Sequence, residues 1–250
     1  THYLHNHARM WFASIWIFTL KLPWVLGADL FYRNLLDGDP ASNTCSWRWV
    51  AGLHTAGKTY LARPANIEEY TQGRFKPEGQ LASTAVALEE ADLGPRVQPT
   101  FDVPDLAGRR IGLLLTPEDC AADRLDPLPT PAGLFAWTEP VKRSVRPTAP
   151  AVDAFAAQAV ESAVTASEAR FGLSCVRAEA DEPTAEALAR WAQDLALDCI
   201  VTPRLPLGPT RKAVHAACSS QGLTLVEVTR PYDQAVWPHA RAGFFGLKKK

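Results

Sequence analysis

Cysteine is scarce in this chain, and its charge is nearly balanced. The five cysteines (Cys45, Cys120, Cys175, Cys199 and Cys218) are odd in number and widely scattered, and no Cys-x-x-Cys occurs. That argues against both a disulfide framework and a zinc site, and a reducing cytoplasm is the expected compartment. The formal net charge of −1 gives no global footprint for nucleic acid, so any DNA contact must come from a local basic surface. Long apolar runs are missing too. The uncharged stretch Met10 to Leu20 lies between Arg9 and Lys21 and falls well short of the roughly 20 residues that span a bilayer. No small-residue cleavage site follows it, so a buried core helix is expected, not a signal peptide or a membrane segment. His2, His5 and His7 crowd the first turns, but no carboxylate or Cys stands at ligand spacing, and no metal is expected. There is no internal repeat. There is also no initiator Met: the sequence opens at Thr1 within helical sequence and without a cap, so the chain is expected to be the second part of a longer protein.

What is present supports real cores. Over 250 residues, 47% are hydrophobic and 9% aromatic, enough for one large or two modest domains. From His2 to about Leu53 the pattern is helical: a long apolar helix to Lys21, a break at Pro23, a second helix from about Ala28 to Leu36, and a third from Pro40. A proline suits a first helical turn, where its missing N–H costs nothing. This all-helical region is expected over residues 1–67. Residues 68–108 are more acidic and carry Pro77, Pro95, Pro99 and Pro104; they read as an irregular connector with one short helix near Ala82 to Asp92. Residues 109–250 alternate differently. The β-rich runs Arg110 to Thr116, Leu173 to Ala178, Asp198 to Thr202 and Leu223 to Thr229 are separated by helical stretches, with a weaker strand at Leu134 to Thr138. The helix Val152 to Arg170 sets Val152, Phe155, Ala156, Ala159, Val160 and Ala163 on one stripe. Pro183 begins another helix through Leu197, and Pro209 begins a third that Gly222 ends. Such alternation implies a parallel sheet covered on both faces, a doubly wound α/β domain. No Gly-x-Gly-x-x-Gly follows Ile111 to Thr116, so a dinucleotide site is not expected there. The tail Lys248 to Lys250 reads as a solvated terminus.

The densest chemistry lies between Leu36 and Trp49: the carboxylates of Asp37 and Asp39, the amide of Asn43, and the indoles of Trp47 and Trp49. A calcium loop fails, because Ala41 takes the third ligand position, Ser42 the place of the required Gly, and Arg48 the place of the closing Glu. Local sequence alone favours a turn with a helix cap, since Asp commonly caps helices. Arg9 inside an apolar helix needs a carboxylate partner or a place at the solvent edge, because an unpaired buried charge is costly. By themselves, Trp24 and Trp47 read as core aromatics.

Order and spacing change that reading. The run His5-Asn6-His7-Ala8-Arg9-Met10, then Asp37-Gly38-Asp39-Pro40-Ala41-Ser42-Asn43, then Trp47-Arg48-Trp49 resembles the FAD-binding domain of the DNA photolyase and cryptochrome family. The resemblance implies an all-helical photolyase-type FAD-binding region followed by the doubly wound α/β domain, with FAD as cofactor. It implies that Asp37 pairs with Arg9, that Asp39 hydrogen-bonds the flavin, and that Asn43 faces flavin N5. A side-chain amide there can donate or accept as N5 changes protonation. Trp47 and Trp24 match the inner members of the tryptophan chain that carries electrons to photoexcited flavin, its outermost member falling before Thr1. Asn6, Met10 and Trp49 match positions lining the pocket for a flipped-out lesion.

The implied activity is blue-light-driven repair of pyrimidine dimers by a carbon–carbon lyase acting as a monomer on damaged DNA, without membrane or metal. One departure matters: in Gly57 to Arg63, Ala62 stands two residues after Tyr60, where repair enzymes usually carry Arg. Arg63 or Lys58 can take over a phosphate contact, which requires charge more than identity. A cryptochrome-like photoreceptor without repair activity stays open; Ala62 and the neutral charge lean that way, whereas Asn43, Met10 and Trp49 lean toward repair. So does a third reading, an α/β interaction domain attached to a residual flavin fold, because the family's phosphate and adenine contacts come largely from helices before this region. No residues match an antenna site, and the antenna chromophore stays unassigned.

Overall fold

The computed structural model describes every residue except 56, 96, 102–103, 127, 241–243 and 249–250. Arg96 of the expected connector, and Lys249 and Lys250 of the basic tail, lie outside the described residues. The chain separates into two units, residues 1–94 with 142–153, and residues 95–141 with 154–250.

In the first unit, helix α1 (Asn6–Ser14) starts where the His5 ring Nδ1 accepts the His7 N–H at 3.3 Å. The helical start expected at His2 is therefore corrected. Residues 1–5 precede the helix, His2 has φ +52°, and its ring bonds the Asn34 carbonyl. After Ser14 the helix widens into a π turn, Ile15–Thr19, with the Leu20 N–H donating to Ile15 O at 2.8 Å and the Leu22 N–H to Trp16 O at 2.9 Å. Lys21 at φ +53° and then Pro23 stop it. Helix α2 (Trp24–Asn34) begins directly after Pro23, earlier than the expected Ala28, so Trp24 opens α2. Helix α3 (Pro40–Ala51) is capped by Asp39, whose Oδ1 accepts the Ser42 N–H at 2.6 Å, and ends at Gly52 with φ +82°, the left-handed conformation that glycine adopts without strain. Helix α4 spans Pro64–Tyr70. Ala13, Ile17, Phe31, Leu35, Trp47 and Val50 form the core of this unit.

The connector behaves differently from its sequence. Residues 71–94 belong to the first unit, and the helix expected near Ala82 to Asp92 is absent. Its groups bond elsewhere: the Leu88 N–H donates to Ala51 O at 3.0 Å, the Ala82 N–H to Thr19 Oγ1 at 3.1 Å, and Glu90 pairs with Arg48. Backbone donors satisfied by α3 and the π turn have no need of a helix of their own. Residues 142–149 join the same unit, with Arg143 donating to Tyr32 O at 3.1 Å and the Ala149 N–H to Arg33 O at 3.0 Å.

The second unit holds five parallel strands: β1 (Ile111–Leu115), β2 (Gly133–Ala136), β3 (Cys175–Val176), β4 (Cys199–Pro203) and β5 (Leu225–Val228), in the order β3-β2-β1-β4-β5. The helices between them are α5 (Pro150–Phe171), α6 (Thr184–Asp194) and α7 (Pro209–Ser220). Alternate strand residues separate two cores. Ile111, Leu113, Leu115, Cys199 and Val201 pack with Val160 and Val164 of α5, while Leu114, Phe135 and Ile200 pack with Leu188 and Trp191 of α6 and Val214 of α7. Both faces are therefore covered, as near-continuous apolar strands require. Phe155 corrects the expected stripe: it is 51% exposed, whereas Val152, Val160, Ala163 and Val164 are buried. Gly112 pairs in register with Gly133, and both lack a Cβ because α6 presses on them. A Cβ on Gly112 would stand 2.3 Å from the Trp191 ring. Among the described residues between β1 and β2 the chain forms only a short 3-10 turn, Ala122–Arg124, and none of them forms an α-helix after β1 that could cradle a phosphate. Among the described residues no helix is long and apolar enough to cross a membrane.

Candidate flavin site

Helical spacing brings the first set of side chains together. Asn6, Arg9, Met10 and Ala13 fall on one stripe of α1 at i, i+3, i+4 and i+7, and Asn43, Trp47 and Val50 do the same on α3. The loop from Leu35 to Asp39 closes the space between them. Arg9 fastens that loop: its Nη2 donates to Asp37 at 2.8 Å (Oδ2) and 3.1 Å (Oδ1), 28 residues away, and its Nε to Leu4 O at 2.7 Å. With side chains 28% and 54% exposed, water screens the pair, and its contribution is on the order of 1 kcal/mol or less. It serves more to place Asp37 than to hold the fold. Asp39 spends Oδ1 on the α3 cap, while Oδ2 has no partner among the described residues. Asn43 donates from Nδ2 to Ala28 O at 2.8 Å, which leaves its amide oxygen to accept. Trp47 is 2% exposed, and its indole N–H is buried without a partner.

These groups share one cavity of about 560 Å³, lined among others by Asn6, Arg9, Met10, Asp37, Asp39, Asn43, Trp47 and Trp49. That size lies in the range of small-ligand sites, roughly 300–1,000 Å³. Cys45, Ser46 and His54 line it as well. Sequence reasoning assigned none of these three a role, and the signal available for Cys45 was only its position two residues after Asn43.

The family model described as the FAD binding domain of DNA photolyase matches residues 1–86. This stretch belongs to the photolyase/cryptochrome family. The deoxyribodipyrimidine photo-lyase of Streptomyces griseus is 47% identical over 53 residues, 21% of this chain and 12% of that protein. The deoxyribodipyrimidine photo-lyase of Salmonella typhimurium is 36% identical over 81 residues, 32% of this chain and 16% of that protein. The cryptochrome DASH of Idiomarina loihiensis is 32% identical over 80 residues, 32% and 17% respectively. The chain thus spans a small part of the length of these relatives. No solved structure matches.

In this photolyase-type region the cavity's donor set suits a flat heteroaromatic ring. The amide oxygen of Asn43 and the open Oδ2 of Asp39 are polar points beside the apolar side chains of Met10, Phe31, Leu35 and Val50, a mixture usual in such a pocket. Among the described residues Arg9 is the one Lys or Arg in the lining, and Asp37 already neutralises it. The lining therefore fits the isoalloxazine end of FAD and offers no free cation to its pyrophosphate.

The remaining expected residues are placed as follows. Trp24 is half-buried in the same apolar cluster; among the described residues the ring neighbours of Trp47 are Phe31, Phe12 and Trp16, at 5.1, 6.3 and 6.4 Å between centroids. Trp49 is 40% exposed and stacks on Tyr60 at 5.6 Å. Asn6 Nδ2 lies 3.8 Å from Met10 Sδ. Ala62 is buried, its N–H donating to Ser14 Oγ at 2.8 Å, whereas Lys58 and Arg63 are exposed. On the same helix as Trp47, Arg48 donates to the Glu90 carboxylate, which holds Glu90 below its ordinary range and raises the guanidinium. Two thiols elsewhere are quenched by burial, Cys175 pushed up to about 12 and Cys218 to about 11.

Proposed function

We propose that this chain carries the flavin-ring and lesion-binding side of a photolyase that repairs pyrimidine dimers under blue light. FAD, when bound, supplies the absorption of light and the electron that splits the dimer. The chain's own residues bind and orient. Arg9 and Asp37 hold the loop that carries Asp39; Asp39 Oδ2 and the Asn43 amide would hold the flavin ring, Asn43 being the group that would serve N5. Met10 and Trp49 offer a soft thioether and a flat indole to two joined pyrimidines, and Asn6 offers an amide to a base edge. Trp47, with Trp24 behind it in the same cluster, passes electrons inward. Lys58 and Arg63 meet phosphate in place of an arginine at the buried position 62. The observation that carries this reading is a single cavity lined both by Asp39, Asn43 and Trp47 and by Asn6, Met10 and Trp49.

A second reading, a cryptochrome-like photoreceptor that binds FAD without repair, draws on the inward-facing Ala62. The parent protein's absorption spectrum and its illumination with dimer-containing single-stranded and duplex DNA separate the two. Dimer loss supports repair, photoreduction without dimer loss leaves the photoreceptor, and absence of a flavin spectrum removes both. Replacing Trp47 by Phe should block photoreduction while flavin stays bound; unchanged photoreduction takes Trp47 out of the electron path.

A further inference from the structure

We infer that Trp16 is an electron relay for Trp47, a branch beside Trp24; the inference rests on the flavin reading above. Trp16 sits in the π turn Ile15–Thr19, and such turns recur at functional sites. Its ring meets Trp47 edge-on, centroids 6.4 Å apart and planes at 87°, and stacks on Phe12 at 5.8 Å. The two indoles differ in the environment of the nitrogen. Trp47 Nε1–H is buried without an acceptor among the described residues, so a positive charge created on that ring lacks the hydrogen bond that would stabilise it. Trp16 Nε1–H donates to Pro23 O at 2.9 Å, its ring is half-buried, and Pro23 is exposed. A hydrogen bond to a charged donor is stronger than to a neutral one, so the charge is more stable on Trp16 than on Trp47.

The step balances as follows. Trp47 loses one electron to a photoexcited oxidant and becomes an indole radical cation. Trp16 then gives one electron to Trp47, which returns to a closed-shell indole with no bond made or broken. The charge now rests on Trp16, whose Nε1 proton leaves to water at Pro23. The neutral Trp16 radical finally takes an electron and a proton from a thiol in solution, leaving a thiyl radical, and two such thiyl radicals combine to one disulfide.

Two oxidants separate this relay from the flavin reading. One is bound FAD under a blue flash. The other is flavin-free: a ruthenium polypyridyl photo-oxidant on Cys45, an exposed thiol in the cavity lining, in a chain with Cys120→Ser and Cys175→Ser and a soluble electron acceptor. Indole radicals are followed by transient absorption. Trp16→Phe should shorten the radical's lifetime by about tenfold, the equivalent of one charge-assisted hydrogen bond, whereas Trp24→Phe should leave a Trp16 radical. A fluorinated tryptophan at position 16, harder to oxidise but alike in shape, should act in the same direction and serves if Trp16→Phe folds poorly. Unchanged lifetimes with both variants would overturn the relay. A shortened lifetime with ruthenium in this chain, together with a parent protein that binds no flavin, would keep the relay and sink the flavin reading.

Discussion

Gly27 on α2 lies under the ring of Trp47, and replacing it by Ala puts the placement of that ring to a test of sign. A Cβ at position 27 would stand 2.2 Å from Trp47 Cη2, 2.5 Å from Cζ3 and 3.0 Å from Cζ2. The ring has little room to yield, since Phe12, Trp16 and Phe31 press on it and it is 2% exposed. Helix propensity alone favours Ala by about 1 kcal/mol, while forcing a methyl into a packed core costs about 1–3 kcal/mol, or more where the backbone cannot shift. Contact this short puts the cost at the upper end, and the net loss should be about 1–2 kcal/mol. With a urea dependence of roughly 1–3 kcal/mol per M, the midpoint should fall by about 0.3–2 M. Repeating the change in a Trp47→Leu background removes the obstacle, and there Gly27→Ala should be neutral or stabilising. A raised midpoint in the native background, or the same fall in both, would show that Trp47 does not lie on Gly27.

In the second unit, Gly112→Ala would meet Trp191 at 2.3 Å and Leu197 at 2.5 Å; it should cost about 1–3 kcal/mol and alter the near-ultraviolet dichroism of the tryptophans, and a silent substitution would contradict the α6 packing. Glu90 is held below its ordinary range by Arg48, so its contribution is fully present above the unfolded carboxylate pKa of about 4.3 and fades as pH falls through the lower folded value. The urea midpoint of the native chain should exceed that of Glu90→Gln by a constant margin from neutral pH to about pH 5 and converge with it below about pH 4; a margin that persists in acid would remove the ion pair as its cause. Alkylation at mildly alkaline pH, mapped by peptide mass, should reach exposed Cys45 well before Cys218, whose thiol is buried and pushed up to about 11, and equal labelling would contradict the burial of α7.

Local punctuation was legible. Pro23 and Pro40 end or begin helices because the ring and the missing N–H act on neighbouring residues, and these breaks lie where the sequence indicates. The apolar runs of β1 and β4 were legible for the same reason, since a strand covered on both faces needs no partner to be recognised. Where partners are distant, the sequence misled. Ala82 to Asp92 has a helical look, yet Leu88 and Glu90 bond to Ala51 and Arg48. Phe155 fits an amphipathic stripe by spacing and is exposed, because the sheet contacts the adjacent row of α5. The start of α2 was placed late, as Trp24 to Gly27 carry no capping signal other than Pro23 itself.

The sequence by itself determined which side chains are available for the flavin site and the order in which they arrive: Asn6, Arg9 and Met10 on one helix, Asp37 and Asp39 in a capped turn, Asn43, Trp47 and Trp49 on the next. Helical period and capping chemistry are short-range, so a single stretch of chain contains all the information they need. Only the tertiary structure decided that Gly27 leaves room for the Trp47 ring against α2, that the Trp16 ring packs against Trp47, and that residues 71–94 bind back onto α3. Each of these joins residues far apart in the chain, and such contacts are chosen by packing and by the satisfaction of polar groups, not by any periodicity.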